Sequence, residues 1–304
     1  MTRRSFLIFV LILTAIILFF SSAFILPLVY TYNKNLLATV GLLLASALAG
    51  ALTIAVMLNY LSPTVNRGVT LLRHYNRLEN LTHPLLARLS IEAPGSYHHS
   101  INVANLSQKA AKCLGADGNL TRLASYYHDI GKIVHPEVYI ENQGETKKQF
   151  KKQSEIKRTA KIIISHPKQG VKIAEKFHLP EEIINIIAEH HGTTLARFLY
   201  DDAKHFGQPD KNDFRYPGPK PETPESAIVM LADCLEAATR GEKFANRASL
   251  AKIVDNVIEN KISERQLHNL NFSDLELQKI RNSFIDTLSI MYHQRINTSK
   301  NDKN

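Results

Sequence analysis

The chain has 304 residues, with 37 Lys and Arg against 28 Asp and Glu and a formal charge of +9. That length allows one large domain or two modest ones, and so small a basic excess suits an anionic partner such as a nucleotide or acidic lipid without requiring one. Two cysteines, Cys113 and Cys234, sit in segments that read as apolar helix faces. Their number and spacing exclude a disulfide framework and a paired-cysteine metal clip, and favour a reducing compartment.

The first elements in chain order are apolar. No charged residue occurs from Ser5 to Tyr32, nor from Leu36 to Leu61. Each run exceeds the roughly 20 residues needed to cross a bilayer core. The first run is too long for the apolar part of a signal peptide, and no small-x-small cleavage site closes it. Two membrane helices joined by Asn33-Lys34-Asn35 are therefore predicted. Arg3 and Arg4 precede the first, and Arg67, Arg73 and Arg77 follow the second. The positive-inside bias then places both ends in the cytoplasm and Lys34 outside. The chain reads as a multi-pass cell-membrane protein with its C-terminal domain in the cytoplasm. The expected organisation is two transmembrane helices in 1–61, an amphipathic linker helix in 62–82, and one all-α domain in 83–304.

Within that domain, apolar residues recur at three and four in 98–114, 120–130, 159–177, 181–191, 224–239, 248–260 and 273–292. This is the helical period, and alternating β-branched runs are absent. Pro94-Gly95-Ser96 opens a helix that Gly115 closes, and Asn119 is a plausible cap for the next. The charged stretch 144–158 and the proline-rich stretch 206–224 read as loops. Pro167 disfavours helix for His166, the residue before it.

Several polar residues fall on the apolar stripes. His99 lines up with Val103, Leu106 and Ala110, while His128-Asp129 follows Leu120, Leu123, Ala124 and Tyr127. His190-His191 closes EEIINIIAEHH, and Asp233 lies inside IVMLADCLEAA in line with Met230 and Ala237. A buried carboxylate without a partner costs several kcal/mol, so Asp233 needs a cation or strong donors, and Arg240 is one candidate. A lone histidine on an apolar face is usually a hydrogen-bonded core residue. So many such positions in one domain point instead to a site for borderline transition metals.

The order His99, His128-Asp129, His166, His190-His191, Asp233 resembles the HD-domain phosphohydrolase superfamily. The stretches EAPGSYHHSINVANL, ASYYHDIGK, YIENQ, EHHGTTLARF, DFRYPGPKPET, AIVMLADCLEAA and IMYHQRI are similar to one branch of it. That branch comprises the seven-transmembrane receptors with an intracellular HD hydrolase, which degrade cyclic di-AMP. The resemblance covers about residues 80–296. It implies a helical HD domain with two divalent transition-metal ions, iron or manganese. His99, His128 and Asp233 would bind one ion, His166, His190 and His191 the other, and Asp129 would bridge them. Such a pair can hold a hydroxide between the ions and clamp phosphate oxygens for in-line attack. The expected reaction opens cyclic di-AMP to linear pApA, with no DNA or RNA polymer as partner.

The same resemblance implies that Lys132, in HDIGK, meets the substrate phosphate and steadies charge in the transition state. His98 is expected to orient a ligand. Thr193 and Thr194 could reach phosphate, and Arg215, Tyr216 and Lys220 could line the base pocket. The chain departs from the branch in having two apolar segments rather than seven, no large extracellular domain, and KKQFKKQ where the branch has an Asn-Pro-His-Asp run. The Gly-Tyr-Pro signature of cyclic di-GMP hydrolases is absent after the His pair, and a mononuclear nucleotide phosphohydrolase would not need His166, His190 and His191. A membrane-tethered nucleotide sensor would be expected to lack a ligand, and none is missing.

Overall fold

The computed structural model of the chain describes residues 75–143, 150–240 and 246–301, with a few isolated positions before residue 52. The two predicted membrane helices and most of the predicted linker lie outside the described residues. No described helix is long and apolar enough to cross a membrane. The chain divides into two compact units, Met1–Arg77 and Leu78–Asn304. The second has no β-strand among its described residues, only an isolated antiparallel bridge between Leu195 and Arg215.

Its helices are α1 (Pro84–Glu92), α2 (Pro94–Leu114), α3 (Gly118–Tyr127), α4 (Gln153–Lys176), α5 (Glu181–Glu189), α6 (Arg197–Lys204), α7 (Pro224–Thr239), α8 (Arg247–Ser263) and α9 (Asp274–Asn301). Helix α2 packs against α1, α3, α7 and α9. The stripe read from the sequence is its inner face: Val103, Leu106 and Ala110 are fully buried. Burying a side chain such as Leu106 contributes roughly 1.5–3 kcal/mol.

Helix ends follow local chemistry. Thr223 and Ser226 form a capping box at the start of α7, with Pro224 in its first turn. Gly115 closes α2 in the left-handed region at φ 81°. The cap of α3 is Asp117 rather than Asn119: its carboxylate accepts from the backbone N–H groups of Asn119 and Leu120. Helix α4 starts at Gln153, six residues before the predicted 159, because buried Ile156 extends the stripe of Ala160 and Ile163. It also runs unbroken through Pro167, so the expected break at His166 does not occur.

Beyond α3 the chain tightens into three short 3-10 turns, Ile130–Val134, Pro136–Val138 and Ile140–Asn142. The first lies so close to α4 that only glycine fits at position 131, and a second glycine, Gly170, lies where α4 packs on α5. A Cβ on Gly131 would sit 1.9 Å from the carbonyl oxygen of His166, and one on Gly170 would sit 2.8 Å from Ile187 Cγ2. The proline-rich stretch is held too: a 3-10 turn at Lys211–Phe214 is capped by Asp210. Phe214 is fully buried against a cluster that includes Ile156, Ile163 and Leu199.

Candidate metal centre

Five elements each deliver part of one buried cluster. His99 lies in α2, His166 in α4 and Asp233 in α7, while His128 and His190 cap the C-termini of α3 and α5. Asp129 and His191 each follow a capping histidine. All but His191 are under one-tenth exposed.

Asp129 is the hub, and its two oxygens face different partners. Oδ1 lies 3.2 Å from His166 Nε2 and 3.8 Å from His190 Nε2. Oδ2 lies 3.4 Å from His128 Nε2 and 3.6 Å from His99 Nε2. Asp233 closes the far side, with Oδ1 2.8 Å from His99 Nε2 and Oδ2 3.5 Å from His191 Nδ1. Groups able to hold an ion are Asp129, His166, His190 and His191; His99, His128 and Asp129; and His128, His190 and Asp233.

The histidine tautomers can be read from their backbone contacts. Nδ1 of His128, His166 and His190 lies 2.7, 2.7 and 2.8 Å from the carbonyl oxygens of Ser125, Ile163 and Ile187. A carbonyl only accepts, so each Nδ1 carries the hydrogen and each Nε2 turns a lone pair to the centre. His99 is held by a carboxylate instead: Glu236 Oε2 lies 2.5 Å from its Nδ1, leaving Nε2 inward. Outer partners of this kind fix a ligand's orientation and raise its basicity.

Glu236 is a residue that the sequence reading missed, and it takes the role expected of His98. His98 is exposed and, among the described residues, makes an edge contact with Tyr97. Arg240 pairs with Glu236 at 2.5 Å, not with Asp233. The signal was one of spacing. Glu236 lies three residues beyond Asp233, on the same face of α7, and four before Arg240, which caps that helix.

Electrostatics match the geometry. Burial opposes ionisation of Asp129, yet His128, Lys132 and His166 hold its carboxyl well below the usual range. Burial pushes His190 down to about 3 and His191 well below its ordinary value, so both rings are neutral and able to ligate. Burial also works against protonation of His99, but Asp233 and Glu236 win and push it up to about 9. A cation reaching that ring would displace a proton. Buried His128 Nε2 has no hydrogen-bond partner, and Asp129 Oδ2 has no well-aligned one. An imidazole nitrogen without a hydrogen-bond partner beside a buried carboxylate fits a divalent ion.

Around the cluster, Lys132 is buried rather than solvated, with Nζ 2.7 Å from both Asp129 Oδ2 and Glu141 Oε1. Glu141 also accepts from the Ser96 hydroxyl at 3.1 Å, which ties the start of α2 to the third 3-10 turn. Tyr216 stacks on His191 at 4.1 Å between ring centroids, and Arg215 donates to the Thr193 carbonyl at 3.0 Å. Thr193 is pinned by Gln266, whose Oε1 accepts from its backbone N–H at 2.9 Å. The Thr194 hydroxyl is buried and donates to the His191 carbonyl, so it supports the His pair from behind. Lys220 is half-buried and forms no ion pair among the described residues.

A family model described as the HD domain matches residues 96–238. The chain is 37% identical over 260 residues to the cyclic-di-AMP phosphodiesterase PgpH of Bacillus subtilis, covering 84% of this chain and 36% of that protein. The crystal structure of the PgpH HD domain of Listeria monocytogenes is similar at 38% identity and a TM-score of 0.64, over 69% of this chain and all of that one. The same HD domain in complex with cyclic-di-AMP is similar at 37% identity and a TM-score of 0.64, over 69% of this chain and 98% of that one. The chain spans about a third of the length of the curated relatives it matches. It belongs to the HD-domain family, with an HD domain of the PgpH type.

Proposed function

We propose that this member of the HD-domain family is a metal-dependent phosphodiesterase that opens a cyclic dinucleotide, cyclic di-AMP by preference, to linear pApA. The observation that carries the reading is the division of labour on Asp129, whose two buried oxygens face two sets of histidine nitrogens. His99, His128 and Asp233 would hold one divalent ion, and His166, His190 and His191 the other, with Asp129 shared; iron and manganese both suit this donor set. Two such ions would supply a water nucleophilic at neutral pH and a clamp on the phosphate oxygens.

The chain's own groups do the rest. Lys132 balances the charge of Asp129 and Glu141, and its ammonium would meet the substrate phosphate beside the ions. Glu236 holds the His99 ring through Nδ1, with Nε2 turned to the centre. Tyr216 walls the centre with its ring, and Arg215, Thr193 and Lys220 would contact the nucleotide.

The base preference has a physical origin. Guanine offers O6 as an acceptor where adenine offers an amino donor, so buried polar groups matched to one are left unpaired by the other. Each mismatch costs about 1–3 kcal/mol. Cyclic di-AMP should therefore be linearised at least about tenfold faster than cyclic di-GMP in kcat/KM, since about 1.4 kcal/mol is a factor of ten. Steady-state rates on both, with an RNA oligonucleotide alongside, measure this. Equal or reversed preference would refute the substrate assignment, and comparable cleavage of the RNA would replace it.

The uncharged runs before residue 62 support an integral membrane anchor, with the HD domain on the cytoplasmic side. Reporter fusions at the C-terminus should read as cytoplasmic and a reporter inserted at Lys34 as external. An exported C-terminus would sink this topology.

A further inference from the structure

We propose that Pro167 is a positioning residue for the metal centre. Having no backbone N–H, it leaves the Ile163 carbonyl free to hold the His166 ring with Nδ1 protonated and Nε2 turned to Asp129. The inference rests on the two-ion reading above and concerns one ligand of it.

In an α-helix the N–H of residue 167 would close onto the carbonyl of residue 163. His128 and His190 escape this competition because they cap the ends of α3 and α5, where the last carbonyls have no helical donor. His166 has no such advantage, since it sits in the middle of the 24-residue α4. Its Nδ1 nevertheless makes the same contact three residues back, at 2.7 Å to Ile163 O. A helical N–H on the same carbonyl competes with such a contact, which is strongest on a carbonyl that the helix is not using. Proline supplies one, and its ring also crowds the same carbonyl away from the helical direction. A buried proline inside an otherwise regular helix is strongly disfavoured on local grounds, and α4 continues through it without a break. The compensating use on this helix is the ligand beside it: His166 Nε2 then points at Asp129 Oδ1, 3.2 Å away.

The test uses the full chain in detergent with Mn2+ as the probe. Pro167→Ala restores the N–H, which should recapture Ile163 O and free the His166 ring to adopt the other tautomer. The metal-free variant should unfold at a higher denaturant concentration than wild type, because helix propensity improves. One of the two Mn2+ ions should bind roughly tenfold or more weakly, the usual effect of losing an outer partner of a ligand. A merely structural proline would move both readouts in the same direction. Replacing residue 167 with the α-hydroxy analogue of alanine leaves an ester that again lacks the N–H, and this should restore the affinity. Unchanged affinity in Pro167→Ala, a metal-free variant less stable than wild type, or no rescue by the ester each overturns the proposal. Wild-type protein that binds fewer than two ions would instead overturn the two-ion reading on which it rests.

Discussion

Asp129→Ala is expected to lose both metal ions and at least roughly a thousandfold in kcat/KM, about 4 kcal/mol of transition-state stabilisation. The expectation comes from one side chain serving two sets of nitrogens. Removing His191 or Asp233 takes a ligand from one side only. Removing Asp129 takes the donor nearest to His166 and His190 through Oδ1, and to His99 and His128 through Oδ2. It also leaves buried Lys132 with Glu141 as its remaining close anion, which adds a positive charge beside the place the ions must occupy. Elemental analysis of metal-supplemented protein decides the matter. A variant that keeps two ions per chain would show that Asp129 does not bridge. His98→Ala is the matching control: the neighbouring ring is exposed, and its loss should leave both metal content and rate unchanged.

Much of this centre was legible because burial and polarity conflict visibly in a sequence. Asp233 amid Met230, Leu231 and Leu235 announces a buried charge, and a buried charge requires a partner. The helix bounds at Pro224 and Thr239 were readable from the apolar period alone, and a capping box and a proline fix the start. Residues that act through long-range contacts were not legible. Gln266 reaches Thr193 from 73 residues away, and no periodicity marks it. Glu141 could be quoted as part of a familiar stretch, but its pairing with Lys132 depends on 3-10 turns that have too few residues for any repeat to show. The short α6 escaped for the same reason. Pro167 misled: the rule that proline disfavours helix before it is sound locally, and tertiary packing of α4 overrode it.

Gly131→Ala should be nearly as damaging as loss of a ligand, although Gly131 has no side chain to contribute. The added Cβ would lie 1.9 Å from the His166 carbonyl oxygen and 2.6 Å from the Gly170 nitrogen. Both obstacles are backbone, so no rotamer change can make room. Ordinary carbon contacts lie near 3.5 Å, which obliges the 3-10 turn and α4 to part by more than about 1 Å. Those two segments carry Asp129 and His166, and their separation sets the 3.2 Å gap across the centre. A misplacement of about 1 Å in a catalytic constellation is enough to cost roughly a hundredfold in rate. Overpacking of this kind also destabilises by about 1–3 kcal/mol. Gly131→Ala should therefore unfold earlier than wild type, bind at most one ion firmly and turn over at least about a hundredfold more slowly. Gly170→Ala is the informative comparison, because its Cβ would meet first the Cγ2 methyl of Ile187, a side chain able to yield. Its losses in stability and metal content should be clearly smaller. If melting curves and metal analysis gave the reverse order, or a wild-type Gly131→Ala, the close apposition of the two backbones would not be what aligns Asp129 with His166.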